Sequence, residues 1–206
     1  MRAAAFIRYH SGQGFGHVGW AFHVDPPNAN AGSVENHSGH WFTPAKDMGF
    51  WSKLCPDPVV HMRERDYDDV KYIDIPNGDP ILAYRTVLWI RENAYRAWFR
   101  NCEDDVYDVL RAFGVENLTP PSWVWFPKSW FGRFRGTLGH VADFKWDAEV
   151  GHHEITDDDE LAKRLKGLEP WHPTWRRPWH VDAHFLNLGI LFRRPAEVIR
   201  ARLSRR

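Results

Sequence analysis

The hydrophobic pattern switches from strand-like to helical spacing near residue 79. Ala3–Tyr9 and His17–Val24 alternate or run apolar, and the Ser11-Gly-Gln-Gly-Phe-Gly16 stretch between them predicts a hairpin with a glycine-rich turn. A second turn is predicted over Asp25–Gly32 and a short third strand over Ser33–Ser38, so the chain opens as an antiparallel β-meander. Proline and glycine density predicts a long loop from Gly39 to Asp69, and Val70–Ile75 reads as a further strand. Asp79-Pro80 carries an N-cap followed by proline at the first helical position; the helix it starts is predicted to run to about Phe99 and to bury Leu82, Leu88, Trp89 and Trp98.

A second helix follows at once. Val106, Val109, Leu110 and Phe113 keep the spacing of one helical face, and Cys102 stands four residues before Val106 on that same face. Asn101 is a good N-cap, Glu103, Asp104 and Asp105 suit the positive end of a helix dipole, and Gly114 fits the terminating position. A thiol at a helix N-terminus has its thiolate stabilised by the dipole and the free N–H groups, whereas three adjacent carboxylates oppose that charge. Cys102 therefore calls for a cationic partner, and histidine is the usual one.

Beyond Gly114 the signals weaken. Leu118–Gly139, rich in Pro, Trp, Phe and Arg, is predicted to wrap the domain as irregular structure. Thr156-Asp-Asp-Asp159 caps a short helix bearing Leu161, Leu165 and Leu168. The tail Asn187–Arg206 sets six arginines against a single glutamate and contains a basic helix from Pro195. The organisation expected is a catalytic domain over 1–150 and a helical, basic C-terminal extension over 151–206 packed on it, with peripheral membrane contact open to the tail.

Composition narrows the class. Length 206 suits one domain with a full core. With 27 basic and 27 acidic residues the net charge is zero, so no nucleic-acid partner is expected. Two cysteines make no disulfide framework and, without a signal-peptide core or a membrane-length apolar run, point to a cytoplasmic protein. The 12 tryptophans fill a core built from irregular loops, or else line a substrate groove or a membrane-facing rim. His152, His153, His172 and His180 lack metal-ligand spacing, and Gly12-Gln-Gly-Phe-Gly16 lacks the Lys-Ser/Thr ending of a phosphate loop, so neither a metal nor a cofactor is expected. Cys55, with no helix dipole and no evident base, reads as structural.

His17 begins a buried strand in Gly14-Phe-Gly-His17-Val-Gly-Trp-Ala-Phe22, where Gly16, Gly19 and Ala21 leave room for another element, such as the Cys102 helix, to pack closely. A strand-borne histidine in an N-terminal meander, the polar following strand Gly32-Ser-Val-Glu-Asn-His-Ser-Gly39, then a helix and the start Arg100-Asn-Cys102-Glu, with Tyr95 before it, together resemble the circularly permuted papain-like cysteine hydrolases. Similar branches are the permuted papain-fold (PPPDE) peptidases, the lecithin retinol acyltransferase-like enzymes and the permuted NlpC-like enzymes. The resemblance covers Ala3 to Gly114 and implies an α+β fold, the meander packing on the helix that carries the nucleophile.

It further implies Cys102 as nucleophile, His17 as base and an orienting polar group on the strand after the histidine, where Glu35, Asn36 and His37 compete. Asn36 is favoured as a neutral orienter; strand alternation puts Glu35 and His37 on the other face. The implied activity is hydrolysis of an amide, isopeptide or thioester bond through an acyl-enzyme, on a peptide, protein or acyl-amide substrate. The alternatives are a lipid acyltransferase or phospholipase and a non-catalytic Trp-rich binding module of the same fold.

Overall fold

The computed structural model describes residues 1–11, 14–35, 49–92, 101–121, 124, 126–146 and 160–173. The fold is α+β, built on a six-stranded antiparallel sheet: β1 (Arg2–Arg8), β2 (His17–Asp25), β3 (Asn28–Glu35), β4 (Gly49–Cys55), β5 (Asp69–Asp74) and β6 (Thr137–His140), ordered β4-β3-β2-β1-β5-β6. Five helices accompany it among the described residues: α1 (Pro58–Arg63), α2 (Pro80–Glu92), α3 (Cys102–Phe113), α4 (Pro127–Arg133) and α5 (Glu160–Leu165).

Both faces of the sheet are covered, which is why β2 is buried along nearly its whole length. On one face Ala3, Ala5, Ile7, Val18, Trp20 and Phe22 meet Val106, Val109, Leu110 and Phe113 of α3, together with Trp130 of α4 and Leu161 and Leu165 of α5. On the other face Ala4, Phe6, Ala21, Ala29 and Ala31 meet Val59 and Met62 of α1, Tyr67 and Trp146. Trp20, Trp130 and Trp146 are thus core side chains, while Trp51, Trp89 and Trp171 are half-buried.

Several expectations need correction. The second turn is only Pro26-Pro27, and β3 already begins at Asn28, because Ala29 and Ala31 pair with His23 and Ala21 and are fully buried. The loop expected over 39–69 contains β4 and α1. β4 is an edge strand, half-buried on both sides and so without a clear alternation, and α1 starts on an Asp57 N-cap with Pro58 beside it. The irregular wrap after Leu118 contains α4 and β6, the latter a four-residue addition to the edge at β5. The continuation of α2 toward Phe99, Asn36 and His37 of the third strand, the Thr156–Asp159 cap and the basic tail lie outside the described residues.

Candidate active site

The local sequence fixes where α3 begins. Asn101 takes an extended conformation, and its side-chain oxygen accepts hydrogen bonds from the N–H groups of Glu103 (2.9 Å) and Asp104 (3.2 Å). The Asp104 carboxylate in turn accepts from the Asn101 N–H at 2.9 Å, completing a capping box. Gly114 ends the helix in the left-handed conformation, φ 107°, where a side chain would be strained. Between these stops the apolar stripe holds α3 against β2 and β3, and Cys102 sits at the first turn, 5 % exposed.

The sheet opens where Cys102 meets it. Pairing of β2 with β3 runs from Asp25–Asn28 to Trp20–Gly32; beyond that point β3 keeps pairing with β4 through Ser33, Val34 and Glu35, but His17, Val18 and Gly19 are not matched to it. The backbone N–H of Val18 stands near enough to the Cys102 sulfur at this opening to pull its pKa down. The thiol therefore rests on the peptide that joins His17 to Val18.

His17 approaches the same opening from the other layer. Its partner across β1 is Arg8, in step with Phe6 and Ala4, so its side chain falls on the face that carries Tyr67. The imidazole Nε2 lies 2.5 Å from Ser33 Oγ, both residues being buried, and the ring centroid is 5.9 Å from that of Tyr67. Gly19, on the same side, has the Tyr67 hydroxyl above it: a Cβ there would stand 2.8 Å from that oxygen. The close approach at Gly19 is thus with Tyr67, whereas α3 packs on the opposite face, against Val18, Trp20 and Phe22.

Electrostatics at the thiol run against activation at rest. Burial pushes the Cys102 pKa well up; the Val18 N–H pulls it down, and the charges of Glu103, Asp105 and Asp104 push it up again. Glu103, Asp104, Asp105 and Asp108 are themselves buried, so the carboxylates expected to flank the helix start lie inside the fold rather than in solvent. The resting thiol is protonated at neutral pH. Cys55 is likewise buried, on the α1 side, and pushed up to about 12, chiefly by desolvation and then by Asp57.

Of the residues singled out from sequence, Cys102 stands near the Val18 N–H on the α3 face of the sheet, the His17 side chain lies on the opposite face, Glu35 ends β3, and Asn36 and His37 lie outside the described residues. Ser33 and Tyr67, the neighbours of His17, were not legible as such from sequence. Ser33 stands two positions before Glu35 on the same strand face, the one signal that could have added it to the orienting candidates. Tyr67 carried no motif at all. Among the described residues no three His, Cys, Asp or Glu side chains group to hold a metal ion, and no helix is long and apolar enough to cross a membrane. Comparison with family models, curated proteins and solved structures finds no match to this chain.

Proposed function

We propose that this chain is a cysteine hydrolase that cleaves an amide, isopeptide or thioester bond, with Cys102 as nucleophile and His17 as base. The observation that carries this reading is the place of Cys102 at the first turn of α3, near enough to the Val18 N–H for that group to pull its pKa down, while Ser33 Oγ lies 2.5 Å from the imidazole of the adjacent His17. A nucleophile, a base and an orienter of the base are the parts that acyl transfer needs. Because the resting thiol is neutral, His17 acts as a general base rather than as one half of a standing ion pair. The thiol proton passes to the imidazole as sulfur bonds to the carbonyl carbon, and the imidazolium returns it to the departing amine or thiol. Water, deprotonated by His17, then adds to the thioester carbonyl, the C–S bond breaks to release the acid, and the imidazolium returns the proton to the Cys102 sulfur. The Asn101 cap engages the N–H groups of Glu103 and Asp104 and not that of Cys102, so the Cys102 N–H serves the developing oxyanion.

A second reading is favoured by one specific observation: Cys102 is 5 % exposed and its pKa is raised, as expected of a core thiol in a binding module that catalyses nothing. Trapping separates the two. The protein is incubated with a 4-nitrophenyl ester, a peptide 4-nitroanilide and an acyl thioester, and the adduct is located by mass spectrometry. The hydrolase reading expects an acyl group on Cys102 that is lost in His17→Ala and Cys102→Ser. No adduct with any of the three leaves the core-thiol reading.

A further inference from the structure

Tyr107 and Arg111 stand one turn apart on α3, to the side of its apolar stripe. The helix stops at Gly114, and the backbone of Val115 ties the chain back: its N–H donates to the Leu110 carbonyl at 2.9 Å and its carbonyl accepts from the Arg111 guanidinium at 3.4 Å. Val115 and Leu118 are buried in the core, so the exposed residues between them, Glu116 and Asn117, are held beside the last turn of α3. Asn117 takes the left-handed conformation, φ 57°, which asparagine tolerates better than most residues with a side chain. The result is a cavity of about 350 Å³ lined by Tyr107, Arg111, Glu116, Asn117 and Leu118.

Two opposite charges share this cavity without meeting. Among the described residues neither Arg111 nor Glu116 has an ion pair, with the other or with any third group. Arg111 spends one of its five N–H donors on Val115 and keeps the rest for an acceptor. Glu116 stands past the C-terminal end of α3, where the helix dipole adds negative potential, and so draws a cation. Leu118 is the one apolar side chain among those that line the cavity, and it is nearly buried. The walls therefore offer two charges, the Asn117 amide and the Tyr107 phenol, in a volume at the low end of small-molecule sites.

We propose that this cavity binds a free α-amino acid, its carboxylate on the Arg111 guanidinium and its ammonium on the Glu116 carboxylate. A guanidinium donates two parallel N–H bonds to one carboxylate, and an ammonium donates to the other carboxylate in turn. The Asn117 amide, both donor and acceptor, is at hand for a polar side chain. A simple carboxylate would leave Glu116 unmatched and a simple amine would leave Arg111 so, whereas a molecule that carries both charges on neighbouring atoms answers each. The cavity lies at the opposite end of α3 from Cys102, so the proposal does not depend on the hydrolase reading.

The test is calorimetric titration of the full chain with L-serine and L-glutamine, and with propionate and propylamine, each of which carries one of the two charges. The amino acids should bind with a Kd in the millimolar range or below, which is within reach of so few atoms. Each one-charge probe should bind at least about fivefold more weakly, the worth of one exposed charge pair. Arg111→Gln and Glu116→Gln should each weaken the amino acids by a similar factor, the first leaving propylamine as it was and the second leaving propionate as it was. Both side chains are exposed, so the melting temperature should hold. On titration with L-serine, amide chemical shifts of the wild-type protein should move first at Arg111, Glu116 and Asn117, a readout that needs no variant. Propionate or propylamine binding as tightly as the amino acids would make this a site for a single charge and overturn the proposal. Shifts confined to other residues, or no saturation by either amino acid, would overturn it equally.

Discussion

His17 Nε2 and Ser33 Oγ lie 2.5 Å apart at the point where β2 and β3 cease to pair, so a side-chain bond takes over from the backbone ladder. Ser33→Ala removes the partner of a buried imidazole nitrogen, which costs about 1–3 kcal/mol and lets the ring rotate. Urea midpoints should fall accordingly. Turnover of any substrate acylated at Cys102 should drop by about tenfold or more, part of what a positioned general base contributes. Ser33→Thr, which keeps the hydroxyl, should restore most of the rate. An alanine variant with full activity would remove Ser33 from the site.

In mild alkali the two buried thiols act on stability first, ahead of the phenols of Tyr9, Tyr67 and Tyr84, whose pKa values burial also raises. Cys55 is raised to about 12 and Cys102 further still, against about 8.5 for a thiol in the unfolded chain. Below the unfolded value both states hold the proton and pH has no effect through these groups. Above it the unfolded chain releases protons that the folded chain retains, so stability falls as pH rises, by about 1.4 kcal/mol per pH unit for each thiol. Denaturant midpoints measured under reducing conditions between about pH 9 and 10, below the unfolded value of the phenols, should show this decline. Cys55→Ala should lower the starting stability and flatten the slope by one thiol's share. A midpoint constant across that window would contradict the burial of both sulfurs.

What the sequence disclosed follows from how local each signal is. The helix from Asn101 to Gly114 is legible because cap, stripe and stop all lie within one segment. Strands β1 and β2 are legible for the same reason, since their apolar runs need no partner to be read. β4 was hidden because Phe50, Trp51, Ser52, Lys53 and Leu54 are each half-buried, leaving no contrast between its faces. α1 could have been found: Asp57-Pro58 repeats the Asp-Pro start that marks α2 at Asp79-Pro80, but the surrounding prolines masked it. The pairing of Tyr67 with Gly19 is a tertiary fact, a ring from the α1–β5 connection filling the space that a strand glycine leaves, and no local pattern encodes it. That Cys102 and His17 act together is an expectation from chain order alone. The structure adds that they reach the His17–Val18 peptide from opposite layers.

Asn101 couples the stability of α3 to the placement of the nucleophile. Its side chain accepts two N–H groups and its own N–H is held by Asp104, so Asn101→Ala should cost about 1 kcal/mol. The cap residue precedes Cys102 directly, and fraying there shifts the sulfur away from the Val18 N–H. Alkylation of Cys102 should therefore speed up as the first turn opens, while acylation by a substrate slows. Asn101→Asp or Asn101→Ser, which also cap well, should leave both rates near those of the wild type. Equal alkylation rates in the alanine variant would mean that α3 is held in place without its cap.

Lys71 closes the far end of α4. Its ammonium donates to the carbonyl oxygens of Phe131 (3.0 Å), Gly132 (3.1 Å) and Phe134 (3.1 Å), taking up acceptors that the end of a short helix leaves without intrahelical donors. The other end of α4 reaches the turn before His17: the Lys128 N–H donates to the Phe15 carbonyl at 3.2 Å, and the rings of Phe15 and Phe126 stack 4.5 Å apart. Lys71→Met keeps much of the aliphatic stem but strips three charge-assisted bonds, and about 1–3 kcal/mol should be lost. The loss should be local. Native-state hydrogen exchange should quicken first at the amides of Trp130 and Phe134, whose bonds to Phe126 and Trp130 hold the helix together, while those of β1 and β2 keep their protection. If Lys71 only served the sheet on which it stands, β5 and β6 would lose protection first and α4 would not.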